Sequence, residues 1–561
     1  MFISGAEILV KSLIKEGVEV IFGYPGGRIV PILNYLENSA IRFVLTRHEQ
    51  AAVHAADGFS RVSGKVGVCL ATAGPGATNL VTGLATAYKD SVAIVAITGD
   101  LPARLSGKDL WQQIDILKIT RPITKANFLI KDVEDIQSKI RKAFFLASQG
   151  RPGPILVNIP SDILFKNTDF CFLKSINERK YNYKQSFIIK KLNLYKINKL
   201  VKMLKMSKNP VICAGGGVIN ANASELLLDF VNKTNIPVTT TLLGLGSLPV
   251  QHPLYLGMAG VYGRPEANYA LMNSDLIIVL GSRLNDRTTG NIKKFAPKAR
   301  IIQVDIEHKA IRNDVRVALV IGYDIKEFLT EIIKIVEKPA IEKWIDMIKK
   351  WKLEYSIRYK DNNELKPQYI IEQISKITDG KAIICADVGQ NQMWVANFYN
   401  FKEPRTFITS GGLGTAGYAL PASIGVQIVK PEALVFCISG DGGIQMNIQE
   451  LSTIAANKLP IKILILDNRN LGLTQQFNRF VFKKEGRFMK LENNPDFVSL
   501  SLSYGISGLR ITKREEVKPV LEKALSIQGP VLIHCMVDNK ENVLPQVPEG
   551  KPLNSFIWEL N

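Results

Sequence analysis

The chain has 561 residues, 46% hydrophobic and 22% charged, so a single core is too few and, at one domain per ~150 residues, three or four are expected. The formal net charge of +20 is carried by lysines spread along the chain, as in Lys190-Lys191 and Lys349-Lys350, without the interleaved aromatic platform of a nucleic-acid surface. No run of about 18 uninterrupted apolar residues occurs, which argues against a membrane span, and the six cysteines form no Cys-x-x-Cys pair, so they are expected to be reduced core residues.

Met1 runs directly into Ser4-Gly5-Ala6-Glu7, a capping box that opens a helix. No basic leader precedes it, so no export signal and a cytoplasmic protein are expected. The helix passes through Lys15-Glu16 and stops at Gly17; strands are predicted at 18–22, 41–46, 66–71 and 92–98, short apolar runs separated by helical segments. That is the pattern of a parallel sheet wrapped by helices. The polar stretch Lys174 to Ser186 reads as a linker. A second block begins near Leu192, with a strand at 210–214 entering Gly215-Gly216-Gly217 and later strands at 276–280 and 301–304. A lysine- and tryptophan-rich helical segment, Trp344 to Tyr359, leads into a third block with strands at 382–386, 433–438 and 461–466. The fold class is thus α/β, with three doubly wound parallel-sheet domains at 1–170, 190–340 and 367–561.

Two constellations carry chemistry. Gly440-Asp441-Gly442 and Asn468, 27 positions beyond Asp441, each follow an apolar strand, which places both loops at the carboxyl edge of one parallel sheet, where ligands bind. One carboxylate and one amide oxygen suit Mg²⁺, which keeps much of its shell for water and phosphate. The glycines let backbone amides approach a diphosphate, and a helix from Gln445 onward would point its N-terminus at the anion. Such a triplet also serves as a plain turn. The second constellation is Arg47-His48-Glu49-Gln50, where Glu49 is expected to begin a helix at a sheet edge, as a ligand-facing acid or merely as an acid satisfying the helix dipole.

Three glycine-rich loops complete the inventory: Tyr24-Pro25-Gly26-Gly27, Gly74-Pro75-Gly76-Ala77-Thr78-Asn79, and Ser410 to Gly417. In the last, Gly412, Gly414 and Gly417 match G-x-G-x-x-G, so a nicotinamide oxidoreductase competes as a reading. Against it, Asp441 is enclosed by glycines and Pro421 is expected to interrupt the following helix. His252 and His534 are expected in surface or satisfied core roles.

These segments, with Gly150-Arg151-Pro152-Gly153-Pro154, Asp387-Val388-Gly389-Gln390 and Gln445-Met446-Asn447, resemble the thiamine-diphosphate enzymes. Over nearly the whole chain they resemble the large catalytic subunit of acetolactate (acetohydroxyacid) synthase. The resemblance implies decarboxylation of pyruvate and transfer of the two-carbon unit to a second 2-oxo acid, on the branched-chain amino-acid route; the alternative is a related carboligase or lyase with another acceptor. It implies that Glu49 bonds the pyrimidine of thiamine diphosphate, with Gln112 and Gly27 beside the reacting centre. Cofactor contacts would come from Tyr24, Pro25, Gly26, Pro75, Asn79, Val388, Gly389, Gln390, Gly412, Gly414, Ala416, Gly440, Gly442, Gly443, Leu471, Gly472 and Leu473. Asp441, Asn468 and the backbone oxygen of Asn470 would hold Mg²⁺. Arg151, Gly216, Asp286-Arg287 and Asp305 fall where relatives bind FAD, although these residues could equally serve only the fold. A homodimer or homotetramer and a small regulatory subunit are further implications.

Several pocket positions depart from the family. Ala416 stands where a large apolar residue props the cofactor, a truncation of a size that costs ~2–5 kcal/mol in packed sites. Arg28 replaces a small residue, Ser161 a lysine and Ala126 a histidine; Arg28 offers a bidentate carboxylate partner. Phe477 replaces a tryptophan tied to acceptor choice, Leu473 a methionine and Trp111 a phenylalanine. These exchanges leave the acceptor and the pathway open.

Overall fold

The computed structural model describes residues 2–105, 110–172, 194–307, 316–360 and 363–559; the linker expected at 174–186 and the start of the second block lie outside them. Each domain is built on a six-stranded sheet whose pairs are all parallel. In the first, the spatial order is Arg42–Leu45, Val20–Gly23, Gly67–Ala71, Ile94–Asp100, Pro154–Pro160, Ala126–Leu129. In the third it is Phe407–Ile408, Ile383–Ala386, Val435–Gly440, Lys462–Asp467, Val531–Met536, Ser507–Ile511. With strands numbered along the chain within each of these two sheets, both read 2-1-3-4-6-5. The central sheet, from Tyr255–Met258 through Val238–Thr240, Pro210–Ala214, Leu276–Leu280 and Arg300–Asp305 to Val317–Gly322, reads 3-2-1-4-5-6, the order of dinucleotide-binding sheets.

Strands buried on both faces, such as Gly67–Ala71 and Leu276–Leu280, are the continuous apolar runs of a sheet covered by helices. A short antiparallel ribbon, Phe2–Ser4 with Asn167–Asp169, closes the first domain. Ser4 caps the first helix by accepting the Glu7 amide at 3.2 Å, but the Glu7 carboxylate pairs with Lys11 at 2.8 Å, so the reciprocal half of the expected capping box is diverted to an ion pair one turn on. Pro421 does not interrupt a helix: it sits in the first turn of Ala419–Val429, where its missing N–H has no intrahelical partner to lose. Cys171 is exposed, whereas Cys69, Cys213, Cys385, Cys437 and Cys535 are buried. Among the described residues no helix is long and apolar enough to cross a membrane.

The first and third domains share one apolar cluster, in which Ala52, Ala55 and Ala56 meet Ala419, Ala422 and Val426. Helix Glu49–Ser63 crosses helix Ala419–Val429 almost backbone to backbone, since a Cβ on Gly58 would overlap the Ala422 carbonyl and one on Gly425 would overlap the Ala55 carbonyl. Gly425→Ala is therefore expected to cost about 1–3 kcal/mol by forcing the helices apart. The check is the midpoint of thermal unfolding; an unchanged midpoint would show that the crossing is loose.

Candidate functional site

In the third domain the chain order reverses between Ile383–Ala386 and Val435–Gly440, and the loops after these strands flank a crevice at the carboxyl edge. Asp387, fully buried, joins the loops. Its Oδ1 accepts the amides of Val388 at 2.8 Å and Gly417 at 2.9 Å, and its Oδ2 accepts the Ser439 hydroxyl at 2.8 Å. Burial nevertheless pushes its carboxyl up to about 6. Gly389, at φ 142°, and Gly417, at φ 82°, take turns that L side chains resist. A Cβ on Gly443 would come within 2.6 Å of Asp387 Oδ2, so the Asp441 turn packs directly on this anchor.

Asp441 begins a single helical turn, Asp441–Ile444; Gln445 closes that turn rather than opening a helix as expected, because the next residues pass into a separate 3-10 turn at Ile448–Glu450. Asn494 donates to Asp441 Oδ2 at 2.7 Å and to Asp467 Oδ1 at 3.2 Å, and His534 Nε2 lies 2.9 Å from Asp467 Oδ2. Burial, reinforced by the Asp467 carboxylate, pushes the Asp441 carboxyl up, a penalty that a cation would relieve. Asn468 Oδ1 accepts the Asn470 amide at 3.0 Å, and Asn470 Oδ1 is buried without a hydrogen-bond partner. An orphaned amide oxygen in the Asn468–Asn470 loop and a destabilised carboxylate at the end of the neighbouring strand are the kind of hard oxygen donors that suit a cation such as Mg²⁺. Among the described residues no cluster of three or more His, Cys, Asp or Glu is placed to hold a metal ion. Gln390 supports the cradle by accepting Asn468 Nδ2 at 3.0 Å, and Gly472 packs against both side chains. Leu471 and Phe477 remain partly exposed at the rim.

The first domain repeats the arrangement. Its switch point lies between Val20–Gly23 and Gly67–Ala71, which deliver Tyr24-Pro25-Gly26-Gly27 and the Pro75 turn. Glu49, 7% exposed, is the first residue of its helix, and Asn79 Nδ2 donates to its Oε2 at 2.9 Å. Gly76 leaves room for Glu49 Oε1, Gly74 packs against Gln112, and the Arg28 amide lies 3.4 Å from Thr72 Oγ1. Trp111 is 78% exposed. Pocket positions Ala126 and Ser161 fall on the edge strand and at the start of helix Ser161–Phe165.

A cleft of about 1560 Å³ runs along the carboxyl edge of the central sheet. It brings Arg151, Gly216, Arg287 and Asp305 together with Val388, Gly412, Gly414 and Leu473 of the third domain. Arg151 is engaged by Ser91 at 2.8 Å and Glu307 at 3.0 Å, whereas Arg287 is largely open. Burial pushes the Asp305 carboxyl up to about 6. A glycine loop at the reversal point of a 3-2-1-4-5-6 sheet, with an acid ending a later strand, fits a dinucleotide.

The Gly412–Gly417 loop is not an open dinucleotide turn. Its amides are taken: Gly412 donates to Asp90 Oδ1 at 2.6 Å, Gly411 to Asp90 Oδ2 at 3.1 Å, and Gly417 to Asp387. Sequence reading missed Asp90. The available signal was an acid at the end of helix Val81–Asp90, where the helix dipole disfavours it. Arg61 compensates, bonding Asp90 at 2.7 Å and Asp57 at 2.6 Å. Among the described residues no hydrogen bond joins the Glu49 group to the Asp441 group. Arg61 lies twelve residues beyond Glu49 on one helix, about 18 Å along its axis, so within this chain the glycine loop adjoins the opposite end of the Glu49 helix.

The pattern described as thiamine pyrophosphate enzyme, N-terminal TPP binding domain, matches residues 3–119, the central domain pattern 197–332, and the C-terminal TPP binding domain pattern 387–535. The acetolactate synthase large subunit of Buchnera aphidicola subsp. Schizaphis graminum is 43% identical, covering 99% of this chain and 98% of that one. The probable acetolactate synthase large subunit of Methanocaldococcus jannaschii is 43% identical over 99% and 95% of the two chains, and the chloroplastic acetolactate synthase of Arabidopsis thaliana 41% over 99% and 84%.

Asp387 offers a test of the anchor. Its folded pKa of about 6 exceeds the ordinary 3.8, so the unfolded chain loses its proton first as pH rises. The associated stability is complete below about pH 4 and lost through about pH 6, a span worth about 3 kcal/mol. Asp387→Asn is expected to flatten that fall, read from unfolding midpoints between about pH 4 and 7; parallel profiles for both proteins would remove Asp387 as its source.

Proposed function

The chain belongs to the thiamine pyrophosphate enzymes of the acetolactate synthase large-subunit family, and from that premise we propose that it joins a two-carbon unit from pyruvate to a second 2-oxo acid, using Mg²⁺ and carrying FAD in the central cleft. The observation that carries this reading is the paired carboxyl-edge sites, an acid at one and a cation cradle at the other, at equivalent switch points of two sheets with one strand order. Thiamine diphosphate, when bound, supplies the carbon nucleophile and the electron sink for loss of CO₂.

The chain's own residues divide the remaining work. Asp441, Asn468 and the backbone oxygen of Asn470 would hold Mg²⁺, and the backbone at Gly440, Gly442 and Gly443 would bind the diphosphate. Val388, Gly389, Gln390, Gly412, Gly414, Ala416, Leu471, Gly472 and Leu473 wall the cofactor. Glu49, oriented by Asn79, would hold and exchange a proton at its carboxyl toward the cofactor's pyrimidine, and Tyr24, Pro25, Gly26 and Pro75 would close the other side. Gln112 and Gly27 would stand beside the reacting centre, and Arg28, Trp111 and Phe477 would face the 2-oxo acids, with the Arg28 guanidinium suited to a carboxylate. Arg151, Gly216, Arg287 and Asp305 hold the flavin. A small regulatory subunit and a cytoplasmic location accompany this reading.

The spacing of Glu49 from the glycine loop within one chain supports an assembly in which a second copy supplies the missing half of each site. A homodimer, or a tetramer built from it, meets that requirement by two-fold symmetry.

Two experiments follow. Purified protein with Mg²⁺ and thiamine diphosphate is expected to convert pyruvate to acetolactate, and added FAD to raise its unfolding midpoint; pyruvate consumption without acetolactate would replace this reading by a carboligase or lyase with another acceptor. Glu49→Gln and Asp441→Ala are each expected to be inactive alone, and the latter to lose Mg²⁺-dependent cofactor retention by calorimetry. Co-expressed, they should recover about a quarter of wild-type activity through hybrid dimers holding one intact site. No recovery would place both halves in one chain.

A further inference from the structure

Glu450 is 0% exposed, yet its carboxylate leaves its own domain to reach the first. Its Oε1 accepts the backbone amide of Arg47 at 2.9 Å, and the Thr453 hydroxyl donates to its Oε2 at 2.7 Å. Arg47 and His48 form the turn that leads from strand Arg42–Leu45 into the helix beginning at Glu49. The Arg47 side chain adds a second link, with Nε donating to Ser452 Oγ at 3.1 Å. Burial pushes the Glu450 carboxyl up to about 7, a cost that simple packing between domains would not require. The neighbouring groups explain the residue type. The Arg47 amide can only donate, whereas the Thr453 hydroxyl, which also lies 3.2 Å from the Leu45 carbonyl, can donate or accept, so an amide in this place keeps the Arg47 bond only with its oxygen turned that way and gives up the charge that strengthens it.

On the reading of Glu49 given above, we propose that Glu450 is a positioning residue for Glu49, setting the acid's place through the Arg47 backbone amide in the turn that precedes it. The effect acts through the chain and not through any contact between the two carboxylates. Among the described residues the Glu49 carboxyl is steered by the single Asn79 hydrogen bond, so the start of its helix must be fixed from behind, and misplacement of a reacting group by about 1 Å can cost on the order of a hundredfold.

The test compares holoenzymes of wild type, Glu450→Gln, Thr453→Val and Glu49→Gln. The readouts are hydrogen–deuterium exchange at C2 of the bound thiazolium, calorimetric affinity for thiamine diphosphate with Mg²⁺, the unfolding midpoint, and amide exchange of residues 45–50 in the cofactor-free protein. Glu450→Gln is expected to slow C2 exchange at least about tenfold at saturating cofactor, with affinity within about threefold of wild type and faster amide exchange at Arg47 and His48. Wild-type C2 exchange in Glu49→Gln would overturn the role of Glu49 itself. Slow exchange in Glu49→Gln with wild-type exchange in Glu450→Gln would overturn the positioning role alone, as would a defect that more cofactor repairs. Should Glu450→Gln fail to fold, Thr453→Val, which frees one Glu450 oxygen, is expected to slow C2 exchange several-fold near the wild-type midpoint; unchanged exchange there would overturn the proposal.

Discussion

The Asp387 carboxylate is the point from which the geometry of the third domain is set. A buried carboxylate has several lone-pair sites to satisfy, and here the donors come from its own loop, from the glycine loop ending at Gly417 and from Ser439 at the end of the neighbouring strand. Leaving any of them unmade would strand a polar group in a low-dielectric interior. The three loops therefore hold one mutual arrangement. The same device recurs at Asp90, which gathers the Gly411 and Gly412 amides, and at Glu450, which gathers the Arg47 amide and the Thr453 hydroxyl. Each carboxylate fixes backbone that carries no regular secondary structure of its own, and that backbone is what must approach a diphosphate or launch an acid.

These polar anchors work because the domains beneath them are locked apolar to apolar. The alanine- and glycine-lined crossing of Glu49–Ser63 and Ala419–Val429 brings two backbones close enough that neither helix can slide without collision. The buried ions sit along that seam: Asp57 and Arg61 on one helix, Asp90 beside them, and Tyr418, whose hydroxyl bonds Asp57, at the start of the other. One helix thus carries an acid at its first turn and an interdomain ion cluster at its last. Its rigidity separates the two functions by a fixed length.

The parts of this fold legible from sequence are those whose physics is local. Central strands such as Pro210–Ala214 and Leu276–Leu280 have the limits expected from their apolar runs, because both faces are covered. Most edge strands gave no such signal, Arg42–Leu45 excepted: Ala126–Leu129 is only partly buried, and Phe407–Ile408 is two residues long. The loops at strand ends were legible because glycine, proline and aspartate cluster where the chain must turn near a ligand. Asp90 and Glu450 were not, since each meets its partner across 321 and 403 residues, respectively, and no local pattern encodes such a contact. The diverted capping box at Glu7 is the converse case, a local pattern overruled by an equally local ion pair.

The departure at Ala416 acquires a physical reading from these anchors. On one side Thr415 is tied by its amide to Ser410 Oγ at 3.0 Å, with its hydroxyl 2.7 Å from that of Thr86; on the other the Gly417 amide is held by Asp387 at 2.9 Å. The backbone at Ala416 is thus positioned without help from its side chain. A small residue there alters the space above the loop and not the loop's path, so any compensation for the missing bulk has to come from what faces that space. Leu413, exposed, and Leu473 line the same cleft, and Phe477 stands one helical turn beyond Leu473, at i+4. Leu473 and Phe477 thus share one face of helix Gly472–Phe482, and Leu473 shares the central cleft with Leu413 of the glycine loop.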